Sequence, residues 1–142
     1  MLVIHPIIQL LAVMLTLYVF CLGIQRFRYL HLHQKTLFRL KRHVLLGKIA
    51  LLALLGGMMG GMTIVYIYLH GFLITGVHSK VAFVMTPFII FGGTTGLYMD
   101  RNKKKRTALP LIHGLSNLVL LILALIQVVT GWRVYMLLVL GR

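Results

Sequence analysis

Four stretches of this chain, roughly 3–24, 44–69, 81–99 and 108–140, are almost unbroken runs of apolar residues. No other feature restricts its folding so severely. Each run is long enough for a bilayer core, since about 20 helical residues at 1.5 Å each cover ~30 Å. Lipid offers no partner for backbone N–H and C=O groups, so such segments must satisfy themselves as helices. With 60% hydrophobic residues among 142, no polar shell is left for a soluble domain of this size. The expected fold class is all-α: an integral membrane four-helix bundle in up-down-up-down order, forming a single transmembrane domain over 1–142. Helices are expected at about 4–24, 43–70, 77–99 and 109–139. Between the first two, residues 25–42 are expected to be a basic cytoplasmic linker with amphipathic character, suited to the membrane interface.

The first run has neither a basic n-region nor a small-residue cleavage site, and QRFR follows it, so it reads as a retained helix. Cys21 is the single cysteine, which excludes a disulfide within one chain. Fifteen Lys and Arg stand against one acid, Asp100. In a soluble protein that balance would point to nucleic acid; here position decides. Six basic residues lie in QRFRYLHLHQKTLFRLKR and five in DRNKKKR, whereas the opposite side has Lys80, Arg133 and Arg142. By the positive-inside rule both basic loops are cytoplasmic and both termini lie outside, in a multi-pass protein of a bacterial-type inner membrane. Membrane lipid, not nucleic acid, is the expected partner of these charges.

The four runs share an internal regularity. Helix 1 opens IHPIIQLL, helix 2 RHVLLGKI, helix 3 VHSKVAFV and helix 4 IHGLSNLV. Each therefore has one histidine in its first turns: His5, His43, His78 and His113. Eighteen positions beyond them stand Gly23, Gly61, Gly96 and Gly131. Eighteen residues make five full turns, so each glycine shares its histidine's face about 27 Å away. Glycine is 14 of 142 residues, so four coincidences at one helix-compatible offset have a naive probability on the order of one in ten thousand. His31, His33 and His70 lack the partner.

Alternating topology turns this pattern into geometry. His5 and His78 share the outer level, His43 and His113 the inner one. In a bundle ordered 1-2-3-4, each pair stands on diagonally opposed helices. Two imidazoles facing across a core can supply both axial ligands of one haem. Gly61 and Gly131 reach the outer level, and Gly23 and Gly96 the inner one, where a missing side chain would admit the edge of a flat macrocycle. The expected cofactors are two haem b in the bundle core, one outer and one inner. A bare metal site fits poorly, because each level offers two histidines and no carboxylate or thiol to complete a tetrahedron. Lys80 and Arg133 outside, and Lys41, Arg42 and Arg106 inside, are candidates to neutralise haem propionates; topology or lipid phosphate explains them equally well. His70 is a candidate quinol contact or an ordinary interfacial histidine. Gln127 is a candidate polar contact near the outer level, and Lys48 reads as snorkelling.

With these residues in view, the chain resembles the cytochrome b561 family. The strings that carry the likeness are HP at 5–6, VHSKVAF at 77–83 and IHGLSNLVLLILALIQVVTGW at 112–132. The likeness runs the length of the chain. It implies a four-helix core with one histidine per helix, two b-type haems and electron transfer. Carried over by position, it pairs His5 with His78 and His43 with His113, as the topology does. The extra flanking helices of eukaryotic members and an ascorbate-site motif are absent, which leaves the electron donor open.

The leading expectation is a di-haem b-type membrane cytochrome subunit that carries electrons across the bilayer between a quinol/quinone pool and a redox partner. Iron cycling needs no bond-making side chain, so no catalytic residue is expected. With so little outside the bilayer, the chain is expected to serve a larger respiratory complex, such as a quinol-linked oxidoreductase, or an extracytoplasmic electron-transfer protein. Quinone is a further candidate cofactor. Two other classes compete: a haem-free scaffold subunit whose glycines only pack helices, and a small proton or metal-ion transporter. Against the transporter, the sequence puts no carboxylate inside a helix.

Overall fold

A computed structural model of the chain describes residues 3–141; Arg142, counted among the outer charges, lies outside them. Four helices make up the architecture: α1 (Ile4–His31), α2 (Leu40–Leu69), α3 (Val77–Arg101) and α4 (Ala108–Leu138). By length and composition all four are able to cross a membrane. Each packs against two others, α1 and α3 both lying between α2 and α4. Among the described residues, neither α1 with α3 nor α2 with α4 makes a close backbone approach. The bundle is therefore square, with α1/α3 and α2/α4 on its diagonals. Segments 70–76 and 102–107 are short enough to return the chain only along a neighbouring helix.

The buried core is one layer at mid-height. Ala12, Val13, Leu54, Met85, Ile89, Leu120 and Ala124 form a single cluster. Each lies within two positions of 14, 52, 87 or 122, the points halfway between the histidine and glycine of its helix. Leu120 and Ala124 are fully enclosed. Small residues at the seam let the backbones close in, which is how membrane helices gain van der Waals contact. At the same height Leu11 is 60% exposed and Leu52 68% on the outward faces. Large bare side chains all round suit hydrocarbon, not water.

The linker differs from expectation. Helix α1 continues through Gln25–His31, and the chain is free of helix only over 32–39. No Gly or Pro interrupts 25–31, so the helix keeps its backbone bonds as the chain leaves the apolar zone. It then turns back on itself. His33 takes a left-handed φ of 52°, and Leu32 and Gln34 N–H both donate to the Arg28 carbonyl. Arg28 Nε donates to Gln34 Oε1 at 2.7 Å, and the Thr36 hydroxyl donates to the Gln25 carbonyl at 2.7 Å. Phe38 thereby comes to pack against the His43 ring, with centroids 5.4 Å apart. A second correction concerns charge. Asp100 lies within the last turn of α3, where it pairs with Lys103 at 2.7 Å and Lys48 at 3.7 Å. Lys48 therefore reaches across to a partner on α3 as well as out to solvent.

Candidate functional site

The eighteen-residue spacing acquires a packing meaning once the helices are antiparallel. When each helix has a histidine at its head and a glycine five turns on, the head of one meets the tail of the other at both ends. In the α1/α2 hairpin, a Cβ at Gly23 would stand 3.2 Å from His43 Cε1, and one at Gly61 would stand 2.8 Å from His5 Cε1. In the α3/α4 hairpin the corresponding distances are 3.5 Å from Gly96 to His113 and 3.0 Å from Gly131 to His78. What each glycine faces is thus the imidazole of its hairpin partner, where the sequence suggested a macrocycle edge.

At the inner level the His43 and His113 rings meet edge-on from the α2/α4 diagonal. Their centroids are 6.3 Å apart and their planes 75° from parallel. Metal–imidazole bonds run to about 2.0–2.1 Å, so two rings on opposite sides of one ion have centroids about 6.4 Å apart. At the outer level, His5, His78, Gly61, Gly131, Gln127 and Arg133 line a single cavity of about 960 Å³. That volume is at the upper end of the roughly 300–1,000 Å³ typical of small-molecule and cofactor sites. Its floor is the apolar core layer, reached at Leu54, Met85, Ile89 and Ala124.

At three of the four rings Nδ1 has a hydrogen-bonding neighbour, and at His43 that neighbour sets the tautomer. His43 Nδ1 is 3.1 Å from the Val19 carbonyl, which can only accept, so Nδ1 carries the hydrogen. His113 Nδ1 is 2.8 Å from Thr95 Oγ1, whose own hydrogen goes to the Phe91 carbonyl at 2.6 Å. His78 Nδ1 is 3.1 Å from Thr130 Oγ1, which donates within α4 to Ile126 or to Gln127 Oε1, each at 3.0 Å. The Val19 contact is a hydrogen bond only if Nδ1–H donates; the two threonine contacts accommodate the same tautomer, since each hydroxyl has an acceptor of its own helix to donate to. With hydrogen on Nδ1, Nε2 has its lone pair free for a metal, although Asn117 Nδ2 stands 3.4 Å from His113 Nε2. Among the described residues no three His, Cys, Asp or Glu side chains converge. An ion held here would have to bring its remaining donors with it, as a porphyrin iron does.

The other predicted residues divide. Gln127 Nε2 donates to the His78 carbonyl at 3.0 Å, so it serves the outer level from α4. Arg133 borders the outer cavity; Lys80 is exposed and lies outside it. Lys41 and Arg42 are exposed in a shallow surface pocket with Arg39. Arg106 lies 4.8 Å over the Tyr98 ring. His70 is exposed and caps α2 in a left-handed conformation, φ 49°. The structure thus brings the four histidines, the four glycines, Gln127 and Arg133 to the two levels, and leaves the remaining candidates at the periphery. Sequence reasoning missed Thr95, Thr130 and Asn117. The signals were present: each threonine directly precedes one of the spaced glycines, and Asn117 follows His113 by one helical turn. Asn117 Nδ2 donates to the His113 carbonyl at 2.7 Å. Gln9 stands in the same relation to His5 and donates to the Ala53 carbonyl at 3.1 Å.

Comparisons with protein-family models, with curated proteins and with solved structures find no match for this chain. The likeness to the cytochrome b561 family accordingly stands on the residues alone, and function has to be argued from the site.

Proposed function

We propose that this chain is a di-haem b-type membrane cytochrome, similar to the b561 family, that carries electrons across the bilayer. One observation carries the reading: His43 and His113 meet from opposite helices at 6.3 Å, each with Nδ1 already engaged. That centroid separation supports the reading, because it suits two imidazoles bound to one ion, and the His43 Nδ1 contact leaves its Nε2 available. His5 and His78 would hold the outer haem in the same way, beneath the cavity they line. A haem bound at either level would supply one-electron chemistry at its iron. The chain's own contribution is to present Nε2, to clear the imidazoles with glycine, and to keep water out of the middle.

The enclosed layer around Leu120 and Ala124 separates the two levels. Ions or protons would need a polar path through it, whereas electrons do not. That favours a cytochrome over a transporter. The basic loops are assigned to the cytoplasm of a bacterial-type membrane, with the outer cavity as the point of exchange with a quinol or an extracytoplasmic redox protein. Arg133 at its rim is the best-placed propionate partner. Such a chain would act within a larger redox assembly.

Reduced-minus-oxidised difference spectra and the haem-to-protein ratio of the purified chain test this. A b-type spectrum with two haems per chain is expected, falling to one in His113→Ala and in His78→Ala. A chain without a b-type band, or an undiminished ratio in both variants, would refute it.

A further inference from the structure

We infer that Thr95 and Thr130 are positioning residues, each fixing the tautomer and donor strength of one ligand, His113 at the inner level and His78 at the outer. The inference rests on the haem reading above and extends it to how the two centres are tuned. A Thr-Gly step stands seventeen and eighteen residues past His78 and past His113. Glycine lets the neighbouring imidazole approach, and the threonine beside it, about 100° round the helix, meets that ring's Nδ1. The α1/α2 hairpin has Leu22–Gly23 and Gly60–Gly61 at the equivalent places. There a backbone carbonyl, that of Val19, holds His43, and no hydrogen bond holds His5 among the described residues. Each level therefore combines one hydroxyl-held ligand with one that no side-chain mutation can release in this manner.

The chemistry has a definite direction. An imidazole that donates its Nδ1–H is a stronger electron donor at Nε2 and is fixed in rotation. A stronger donor favours ferric over ferrous iron. Valine keeps the branched shape of threonine and removes the hydroxyl. Thr95→Val should then raise the midpoint potential of the inner haem, and Thr130→Val that of the outer. Outer-shell partners of metal ligands are worth about 10–100-fold in affinity. A tenfold change in the ferric preference corresponds to about 59 mV for one electron.

The test is potentiometric titration of the full haem-loaded chain, in wild type and in the Val and Ser variants at both sites. One midpoint is expected to rise by about 59 mV or more in each Val variant. The other should stay in place, with Ser restoring the wild-type value. Unmoved midpoints, equal movement of both, or Ser behaving as Val would overturn the assignment. A second measurement is independent of haem: imidazole nitrogen shifts of the haem-free chain, labelled at histidine. Nδ1–H forms of His113 and His78, lost in the respective Val variants, are expected. An Nε2–H form of either ring in wild type would overturn the proposal. A chain that takes up no haem defeats the functional reading alone, and the nitrogen shifts still decide the positioning role.

Discussion

The four glycines offer a graded test, because the space before each is different. Gly61→Ala would put a methyl carbon 2.8 Å from His5 Cε1. Carbon contacts are optimal at about 3.5–4.0 Å, so the ring would have to withdraw by about 0.7 Å. On the proposed haem reading, metal–ligand distances tolerate only about 0.2 Å, so His5 could not clear the methyl and keep a bond to iron. At Gly96 the same methyl would stand 3.5 Å from His113 Cε1, an ordinary contact. Alanine also gains about 1 kcal/mol over glycine in a helix interior. Overpacking costs about 1–3 kcal/mol where a neighbour cannot give way. Gly61→Ala should therefore lose up to about 2 kcal/mol at the outer site, roughly a 30-fold weaker hold on haem. Gly96→Ala should be neutral or slightly stabilising. Without haem, His5 can turn aside, so the penalty appears only in the loaded protein. The assay is haem per chain at limiting haem, with melting of loaded and unloaded protein in detergent. Gly131→Ala and Gly23→Ala, at 3.0 and 3.2 Å, should fall in between. If Gly96→Ala loses as much haem as Gly61→Ala, or Gly61→Ala keeps both haems at wild-type affinity, the reasoning fails.

Leu120→Ala should cost about 2–5 kcal/mol in thermal stability, because it opens a cavity in the enclosed layer, while leaving unchanged the haem content that the proposed function expects; differential scanning with absorption spectra on the same sample checks it. Gly57→Ala would drive a methyl into the Gln9 carboxamide and break its bond to the Ala53 carbonyl, for a loss of about 1 kcal/mol seen as a lower melting temperature. In a Cys21→Ser background, a cysteine at Gln34 or Asn102 should react with an impermeant maleimide only from the cytoplasmic side, and one at Phe72 only from the outside. The opposite pattern would reverse the assigned orientation.

Much of the architecture could be read along the chain because the bilayer leaves so few choices. Four runs of membrane length can only be helices, and short connections can only make neighbours antiparallel. The histidine and glycine pattern was visible because a five-turn offset repeats a face regardless of surroundings. Helix ends were harder to place. The extension of α1 to His31 depends on bonds made by Arg28, Gln34 and Thr36 after the chain has turned back. No periodicity announces such contacts. The basic candidates were harder still, since long charged side chains choose partners by local geometry: Arg106 settles on Tyr98, and Lys48 on Asp100.

By itself the sequence determined which residues share a depth. Rise per residue and alternating direction place His5 with His78 and His43 with His113 before any coordinate is known. Only the tertiary structure decided what each of them touches. Rotation of a helix about its axis and its distance from a neighbour are set by how side chains interlock, and hydropathy is nearly blind to both on helices apolar all round. That is why the glycines proved to face the imidazoles of their own hairpin partners, and why two threonines, unremarked in the sequence, emerged as the side chains that meet His113 and His78 at Nδ1.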